Sequence, residues 1–199
     1  MAYHKSKLVR AHLDSQEQLI ISTAIALIGK GGMEHMTAKR IARDADISAG
    51  KVFHYFADMA ELTAKVEATI MARDMAAIES AAKQHETHPN RALTAAVLML
   101  FVRFSTRASR EMMIHGGSYR LALARQLSHL VGAVIERADR FEKTDGRMLA
   151  RAALGAIFEL AGTDGPSDKR VSLAVLFVLG AVGIPAATAQ AAMDAVEKV

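Results

Sequence analysis

The scarcity of proline is the feature that most constrains the fold of this chain. Only three of the 199 residues are proline, at positions 89, 166 and 185, and the stretches between them are rich in Ala, Leu and Met. Apolar residues recur there with a period near 3.6, and no segment shows the alternation of a strand. Because proline interrupts helices and these residues favour them, the sequence predicts an all-α protein of nine or ten helices.

Charge is distributed unevenly along the chain. Residues 1–54 carry eight Lys or Arg against five acids, whereas the remaining residues carry 17 bases and 16 acids. A basic excess at one end favours an anionic partner, nucleic acid first, although a solvated basic surface has the same composition.

Hydrophobic periodicity and Gly or Pro breaks place the individual helices. The stripe formed by Ile20, Ala24, Leu27 and Ile28 predicts a first helix over residues 15–29. Further helices are predicted at about residues 58–85, 91–109, 110–115, 118–141, 146–161 and 167–183, with a short one after Pro185.

Two short helices joined by a tight turn are predicted at residues 37–56. Thr37 is a good N-cap for the first helix, and Ser48 is a good N-cap for a second helix at residues 49–55. Asp46 lies where the chain must turn, and Asp tolerates left-handed backbone better than most residues. Two capped helices with this spacing are typical of a helix-turn-helix.

Residues 37–62 resemble the DNA-binding module of the TetR (tetracycline repressor) family of bacterial transcription regulators. The resemblance covers roughly residues 15–65 by motif, and the rest of the chain only by the number and length of its helices. It implies a DNA-binding domain at residues 1–57, with the helix-turn-helix at about 37–56, and a larger ligand-binding and dimerisation domain at residues 58–199. The matching residues are Thr37, Ile41, Ala42, Ile47, Ser48, Gly50, Val52, Tyr55, Phe56, Glu61 and Leu62.

Three positions depart from the family pattern. Asp46 replaces the usual turn Gly, Phe53 replaces a Tyr whose hydroxyl reaches phosphate, and Met59 replaces a Lys at the start of the fourth helix. Phosphate contacts supply much of the affinity for DNA, so we expect the changes at 53 and 59 to weaken non-specific binding modestly.

The chemistry of the module predicts how DNA is read. The start of the recognition helix is small enough to approach the major groove, and Lys51 and Lys39 are candidates to reach base edges, with simple solvated charges as the alternative. Phe53 and Phe56 are interpreted as a small core, and amides at residues 58–60 as phosphate donors. Lys5, Lys7 and Arg10 fit either a minor-groove arm or a disordered tail. The predicted DNA-binding residues are Thr37, Lys39, Ser48, Ala49, Gly50, Lys51, His54 and Tyr55.

A short recognition helix reads few base pairs, so a homodimer on a palindromic operator is expected. The resemblance implies a four-helix interface built from the last two long helices, against the alternative of an ordinary core pair. The predicted interface residues are Leu154, Ile157, Phe158, Leu173, Leu176, Phe177 and Gly180.

The middle helices are expected to bind a small, largely apolar effector. Met and aromatic side chains form an adaptable lining, although each of them taken alone is more typical of an ordinary core than of a ligand contact. Arg103 and Arg107 are candidates to pair with an acidic ligand or to lie in solvent. By family analogy, the effector shifts the fourth helix and releases DNA. The predicted ligand residues are Met71, Met75, Met99, Phe101, Phe104, Met112, Met113 and Tyr119.

Other functional classes lack sequence support. The absence of Cys rules out a disulfide scaffold, a thiolate metal site and a catalytic thiol. His85 and His88 have helical metal spacing but no clear third ligand, and no phosphate loop or nucleophile elbow is present, so we expect no metal, no cofactor and no enzyme activity. The apolar segment 171–187 is interrupted by Gly and Pro, which favours a buried helix in a cytoplasmic protein without membrane contact.

A second function remains compatible with the sequence. A helical dimer of the same shape can serve as a ligand-binding or protein-interaction module with weak or no specific DNA binding. Phe53 and Met59 favour this alternative, because both lack a group that contacts phosphate.

Overall fold

The computed structural model describes residues 2–138, 145–162 and 167–196. Within these ranges the chain forms ten α-helices, one 3-10 helix (Met33–His35) and no strand, as the sequence predicts. The end of the helix predicted at residues 118–141 lies outside the described residues. The α-helices are α1 (Ala2–Gly31), α2 (Ala38–Asp44), α3 (Ala49–Tyr55), α4 (Met59–Lys83), α5 (Pro89–Phe104), α6 (Arg107–His115), α7 (Gly117–Ala138), α8 (Asp145–Ala161), α9 (Asp168–Ala181) and α10 (Ala186–Val196).

The chain divides into two compact units, Met1–Ile70 and Met71–Val199. The division falls within α4, whereas the sequence predicts a boundary between residues 57 and 58. Helix α4 therefore contributes residues to both units.

The first unit contains α1, α2, α3 and the first part of α4 around a small apolar core. The predicted stripe on α1 is buried, and each of the other helices contributes apolar side chains. Its buried residues include Ile20, Ala24, Leu27, Ile28, Ile41, Val52, Phe56, Leu62 and Val66.

Helix α1 begins at Ala2, well before the predicted start near residue 15. The segment 2–14 contains no Gly or Pro, so nothing in it stops a helix from extending toward the N-terminus. Lys5, Lys7 and Arg10 therefore lie on a helix, which corrects the alternative of a disordered tail, whereas their contact with DNA stays a prediction.

Helix α5 lies at the centre of the second unit, where it packs against α6, α7, α8, α9 and α10. It ends at Phe104, earlier than predicted, and meets α6 at a bend of 96°. The Ser105 hydroxyl donates to the Phe101 carbonyl (2.9 Å), and the Thr106 hydroxyl donates to the Arg103 carbonyl (2.7 Å). These side chains satisfy carbonyls at the end of the helix and so allow the chain to turn.

A buried carboxylate joins four helices of this unit. Asp74 of α4 has no exposed surface. Its Oδ2 accepts hydrogen bonds from Ser109 Oγ of α6 (2.6 Å) and Tyr119 OH of α7 (2.7 Å). Its Oδ1 accepts from Arg73 Nε (3.0 Å) and lies 3.8 Å from Arg103 Nε of α5. We call these five residues the Asp74 cluster; a buried charge is stable only with such partners.

Across the described residues, no single helix is both long and apolar enough to cross a bilayer. Helices α5 and α6 reach the necessary length and apolar character only together, and they are bent by 96° where they meet.

Because of the Asp74 cluster, we expect the stability of the protein to fall as pH rises above 10, and Tyr119→Phe should remove this part of the pH dependence. Burial, with the nearby charge of Asp74, raises the pKa of Tyr119 above its ordinary value of about 10. Above pH 10 the unfolded chain loses this proton while the folded chain keeps it, so this contribution to stability falls as pH rises. At pH 7 we expect Tyr119→Phe to cost about 1.5–3 kcal/mol, the range for a hydrogen bond to a charged group.

Urea unfolding at fixed protein concentration from pH 7 to pH 11 measures this effect. The difference in free energy of unfolding between the original chain and Tyr119→Phe should narrow above pH 10, whereas Val97→Ala, which changes a buried side chain without a titratable group, should give a constant difference. The prediction would be contradicted if the difference in free energy of unfolding between the original chain and Tyr119→Phe stayed constant from pH 7 to pH 11.

Candidate nucleic-acid interface and ligand cleft

Helices α2 and α3 are held in a helix-turn-helix by the predicted caps. Thr37 Oγ1 accepts from the Arg40 amide (3.4 Å), and Ser48 Oγ accepts from the Lys51 amide (3.2 Å). Asp46 lies in the turn with φ of 54°, in the left-handed region that Asp tolerates. Both N-caps and the left-handed turn residue are as the sequence predicts.

Helix α3 has one buried face and one exposed face. Val52 and Phe56 are buried, Lys51 and Tyr55 are half-buried, and the remaining residues of the helix are exposed. A Cβ added at Gly50 would meet no atom within 4 Å, so the exposed face is open. The predicted DNA-binding residues Ala49, Gly50 and His54 are exposed on α3, and Ser48 is exposed at its N-cap. Thr37, the N-cap of α2, and Lys39 of α2 are also exposed.

Phe53 lies on the exposed face, with 48% of its surface accessible. The interpretation of Phe53 as a core residue is therefore wrong, whereas that of Phe56, which is 2% exposed, is confirmed. The reason is helical phase: Phe53 follows Ala49 by one turn, and Phe56 follows Val52 by one turn. Spacing from Ala49 was the sequence signal that would have placed Phe53 correctly.

Two lysines near this face are free of ion pairs within the described part of the chain. Arg43 and Lys30 both pair with Asp44, at 2.8 Å and 3.7 Å. The hydrogen bond from Arg43 holds the pKa of the Asp44 carboxyl below its ordinary value. No acid pairs with Lys39 or Lys51 among the described residues, so both retain an uncompensated charge.

The start of α4 is capped by its own carboxylates. Asp58 Oδ1 accepts from the Glu61 amide (2.8 Å), and Glu61 Oε2 accepts from the Ala57 amide (2.7 Å). Asp58 therefore caps α4, and Glu61 satisfies the amide of the residue that precedes the cap, an arrangement close to a capping box. Two negative side chains at this helix end disfavour phosphate, which weighs against the phosphate donors predicted at residues 58–60; that site stays a prediction.

A cleft of about 760 Å³ opens in the second unit between α4, α5 and α7. Its volume is within the range of small-molecule sites, and four alanines leave room for an occupant. Its lining residues are Met75, Glu79, Ala82, Lys83, Glu86, Pro89, Ala92, Ala122, Arg125, Gln126, His129, Leu130 and Ala133.

Polar groups in the cleft are balanced in charge. Two acids, Glu79 and Glu86, face two bases, Lys83 and Arg125. Gln126 Nε2 donates to the Met75 carbonyl (3.2 Å), which orients the amide, and its buried Oε1 has no partner among the described residues. An apolar cleft with balanced charge and a spare acceptor favours a neutral, mainly apolar occupant.

The structure separates the eight predicted ligand residues. Met75 lines the cleft, Met99 lines a different cleft of about 350 Å³, and Met71 and Met113 are half-buried elsewhere. The other four, Phe101, Phe104, Met112 and Tyr119, are buried in the packed interior. Arg103 lies beside Asp74, and Arg107 pairs with Glu111 (3.8 Å) within α6. Met and aromatic composition did not single out the alanines and Gln126 that shape the cleft.

Helices α8 and α9 pack on each other, and each carries exposed apolar residues. Leu173 and Phe177 are each 51% exposed, and Met148 is 65% exposed. Gly155 and Gly180 are exposed with open space at their Cβ positions. We call these five residues the α8–α9 face.

The remaining predicted interface residues are more enclosed. Leu154 and Ile157 are 3% and 0% exposed, so they belong to the core of the unit and offer no surface to a second chain. Leu176 is half-buried. Phe158, also half-buried, packs edge-on against Phe104 and lies under the Arg110 guanidinium, 4.1 Å from the ring centre.

Comparisons with known proteins agree with this architecture. The structure of RolR in complex with the ligand resorcinol has a TM-score of 0.64 and 18% identity, covering 92% of this chain and 95% of that chain. RolR without ligand gives a TM-score of 0.65 and 16% identity, covering 89% and 96%. At these identities the likeness shows a shared fold. A search of curated proteins found no significant match.

A sequence model of one domain family matches the helix-turn-helix region. The model, described as bacterial regulatory proteins of the tetR family, matches residues 20–66, from within α1 into α4. The matched segment contains both capped helices and the turn at Asp46. Residues 20–66 of this chain therefore match the DNA-binding module of the tetR family of bacterial regulatory proteins.

Proposed function

We propose that this protein is a ligand-responsive transcriptional repressor that binds a palindromic operator in the cytoplasm as a homodimer. The observation that carries the proposal is the open face of α3, together with Lys51 of α3 and the exposed Lys39 of α2, which have no ion-pair partner among the described residues. A recognition helix enters the major groove with its first residues nearest the bases, and Lys donates to guanine O6 or N7.

Operator selection from a random DNA library tests the proposal. We expect the chain to enrich a palindrome and to bind it with a steep salt dependence. Lys51→Ala should weaken operator binding about 5- to 150-fold, the range for losing a specific base contact, and relax selection at one base pair of each half-site. Lys169→Ala removes the same charge from an exposed position on α9 and should leave the selected sequence unchanged.

Absence of any selected sequence at low salt would contradict the proposal. It would favour the alternative function, a helical dimeric ligand-binding or interaction module with little DNA affinity. The exposed Phe53 is the observation that favours this alternative, because a phenyl ring neutralises no phosphate.

The α8–α9 face supports the homodimer. Its apolar residues follow helical spacing on both helices, at 148 and 155 on α8 and at 173, 177 and 180 on α9. The two glycines permit close approach of a second pair of helices, and a twofold axis would form a four-helix interface. Half-site spacing on a palindrome then follows from the symmetry of the dimer.

Phe177→Asp should convert the dimer to a monomer, because a carboxylate would be buried without a partner at the centre of the face. Sedimentation velocity measures the assembly state, and operator titration measures the accompanying loss of affinity. Val102→Asp changes a side chain of nearly the same exposure, 52% against 51%, on α5 and should leave the dimer intact. An unchanged dimer in Phe177→Asp would place the interface elsewhere.

The cleft between α4, α5 and α7 is the proposed effector site. Its alanines and Met75 suit a small, largely apolar molecule, and RolR, which shares the fold, has been solved with the ligand resorcinol. Helix α4 lines the cleft through Met75, Glu79 and Lys83 and also contributes residues to the DNA-binding unit. A ligand that binds one position of α4 better than another therefore shifts the equilibrium of DNA binding.

Ala122→Trp should abolish the response to effector while leaving operator affinity unchanged, because the indole fills the cleft. Ligands are first identified by thermal shift, with resorcinol as one member of the set, and operator affinity is then measured with each. Leu121→Trp, at the neighbouring exposed position, is the control and should respond as the original chain does. If operator affinity is unchanged by every ligand shown to occupy the cleft, the cleft has no regulatory role.

A further inference from the structure

We propose that Phe53 is a specificity-determining residue that reads a thymine through its C5-methyl group. The inference rests on the proposed DNA-binding function and adds a base preference to it. Its starting point is the 48% exposure of a phenyl ring on the open face of α3.

Exposure of this ring is unusual for its surroundings. Across residues 37–56, all of which are described, Phe53 is the one large apolar side chain that is exposed. Phe56, three residues later, is buried, so the helix already has an aromatic side chain for its core. The position of Phe53 therefore serves contact with something outside the unit.

Neighbouring residues leave the ring accessible. Ala49 and Gly50 occupy the preceding turn on the same face, and neither has a side chain long enough to cover it. Gly50 has no atom within 4 Å of an added Cβ. A base edge that approaches this face can reach the ring directly.

The chemistry of the ring selects its partner. Phe has no donor, so contact with phosphate offers it nothing, and the polar base edges would lose hydration against it. In the major groove the thymine C5-methyl is the apolar group presented by a base pair, and Phe is among the side chains that contact it. A Tyr at this position would keep the ring and add a hydroxyl able to reach phosphate.

Single replacement of each operator thymine by deoxyuridine tests the proposal, since uracil pairs as thymine does but lacks the methyl group. For the original chain we expect one thymine position at which replacement weakens binding about fourfold per half-site, the loss expected for one buried methyl group. Phe53→Ala should bind the thymine and uracil operators equally. Phe53→Tyr should remain sensitive, because the ring is retained.

His54→Ala is the matched control, since His54 is also exposed on α3. It should keep the sensitivity to uracil, and circular dichroism checks that each variant is folded. The proposal would be overturned if, at every thymine, replacement by deoxyuridine changed operator affinity equally for the original chain and for Phe53→Ala. A ring that packs on the sugar backbone would give that result. Failure to select any palindrome would instead overturn the proposed function, and this inference with it.

Discussion

Burial of Val52 and Phe56 is the constraint on which the DNA-reading surface depends. The two side chains are four residues apart and are 0% and 2% exposed, so they fix the rotation of α3 about its axis. Once that rotation is set, Ala49, Gly50, Phe53 and His54 must face outward together. The Ser48 cap then fixes where the helix begins, because its hydroxyl satisfies the Lys51 amide. A polar residue at position 52 or 56 would change the rotation of α3 and so alter the DNA-reading surface, although neither position lies on that surface.

The local parts of this module could be predicted from the sequence because their causes are local. Thr37 and Ser48 cap helices through bonds to residues three positions away, and Asp46 sets its own backbone geometry. Aromatic composition does not place Phe53, because helical phase decides which face of α3 the ring occupies. Periodicity does not place the start of α1 either: the apolar pattern fades before residue 15, but helix-compatible residues continue to Ala2.

Features of the second unit required the structure because they join distant residues. Asp74 meets Ser109 and Tyr119 across 35 and 45 positions, and no periodicity within α4 marks it as a buried carboxylate. The cleft is shaped by small side chains on three helices. Alanine is so common in this chain that its presence at a position does not indicate a cleft. Leu154 and Ile157 were indistinguishable from Leu173 and Phe177 by composition; only packing divides core from exposed face.

Two adjacent hydrogen bonds connect α4 to α7, and their unequal strength suggests how an effector acts. Tyr119 donates to the charged Asp74 carboxylate (2.7 Å), while Gln126 donates to the neutral carbonyl of Met75 (3.2 Å). Charge-assisted bonds are roughly twice as strong as neutral ones, so the Asp74 contact is the harder to break. Gln126 lines the cleft and carries an acceptor without a partner among the described residues, so it is the side that an occupant disturbs. Separation of α4 from α7 is therefore opposed more strongly by the Asp74 contact than by the Met75 contact.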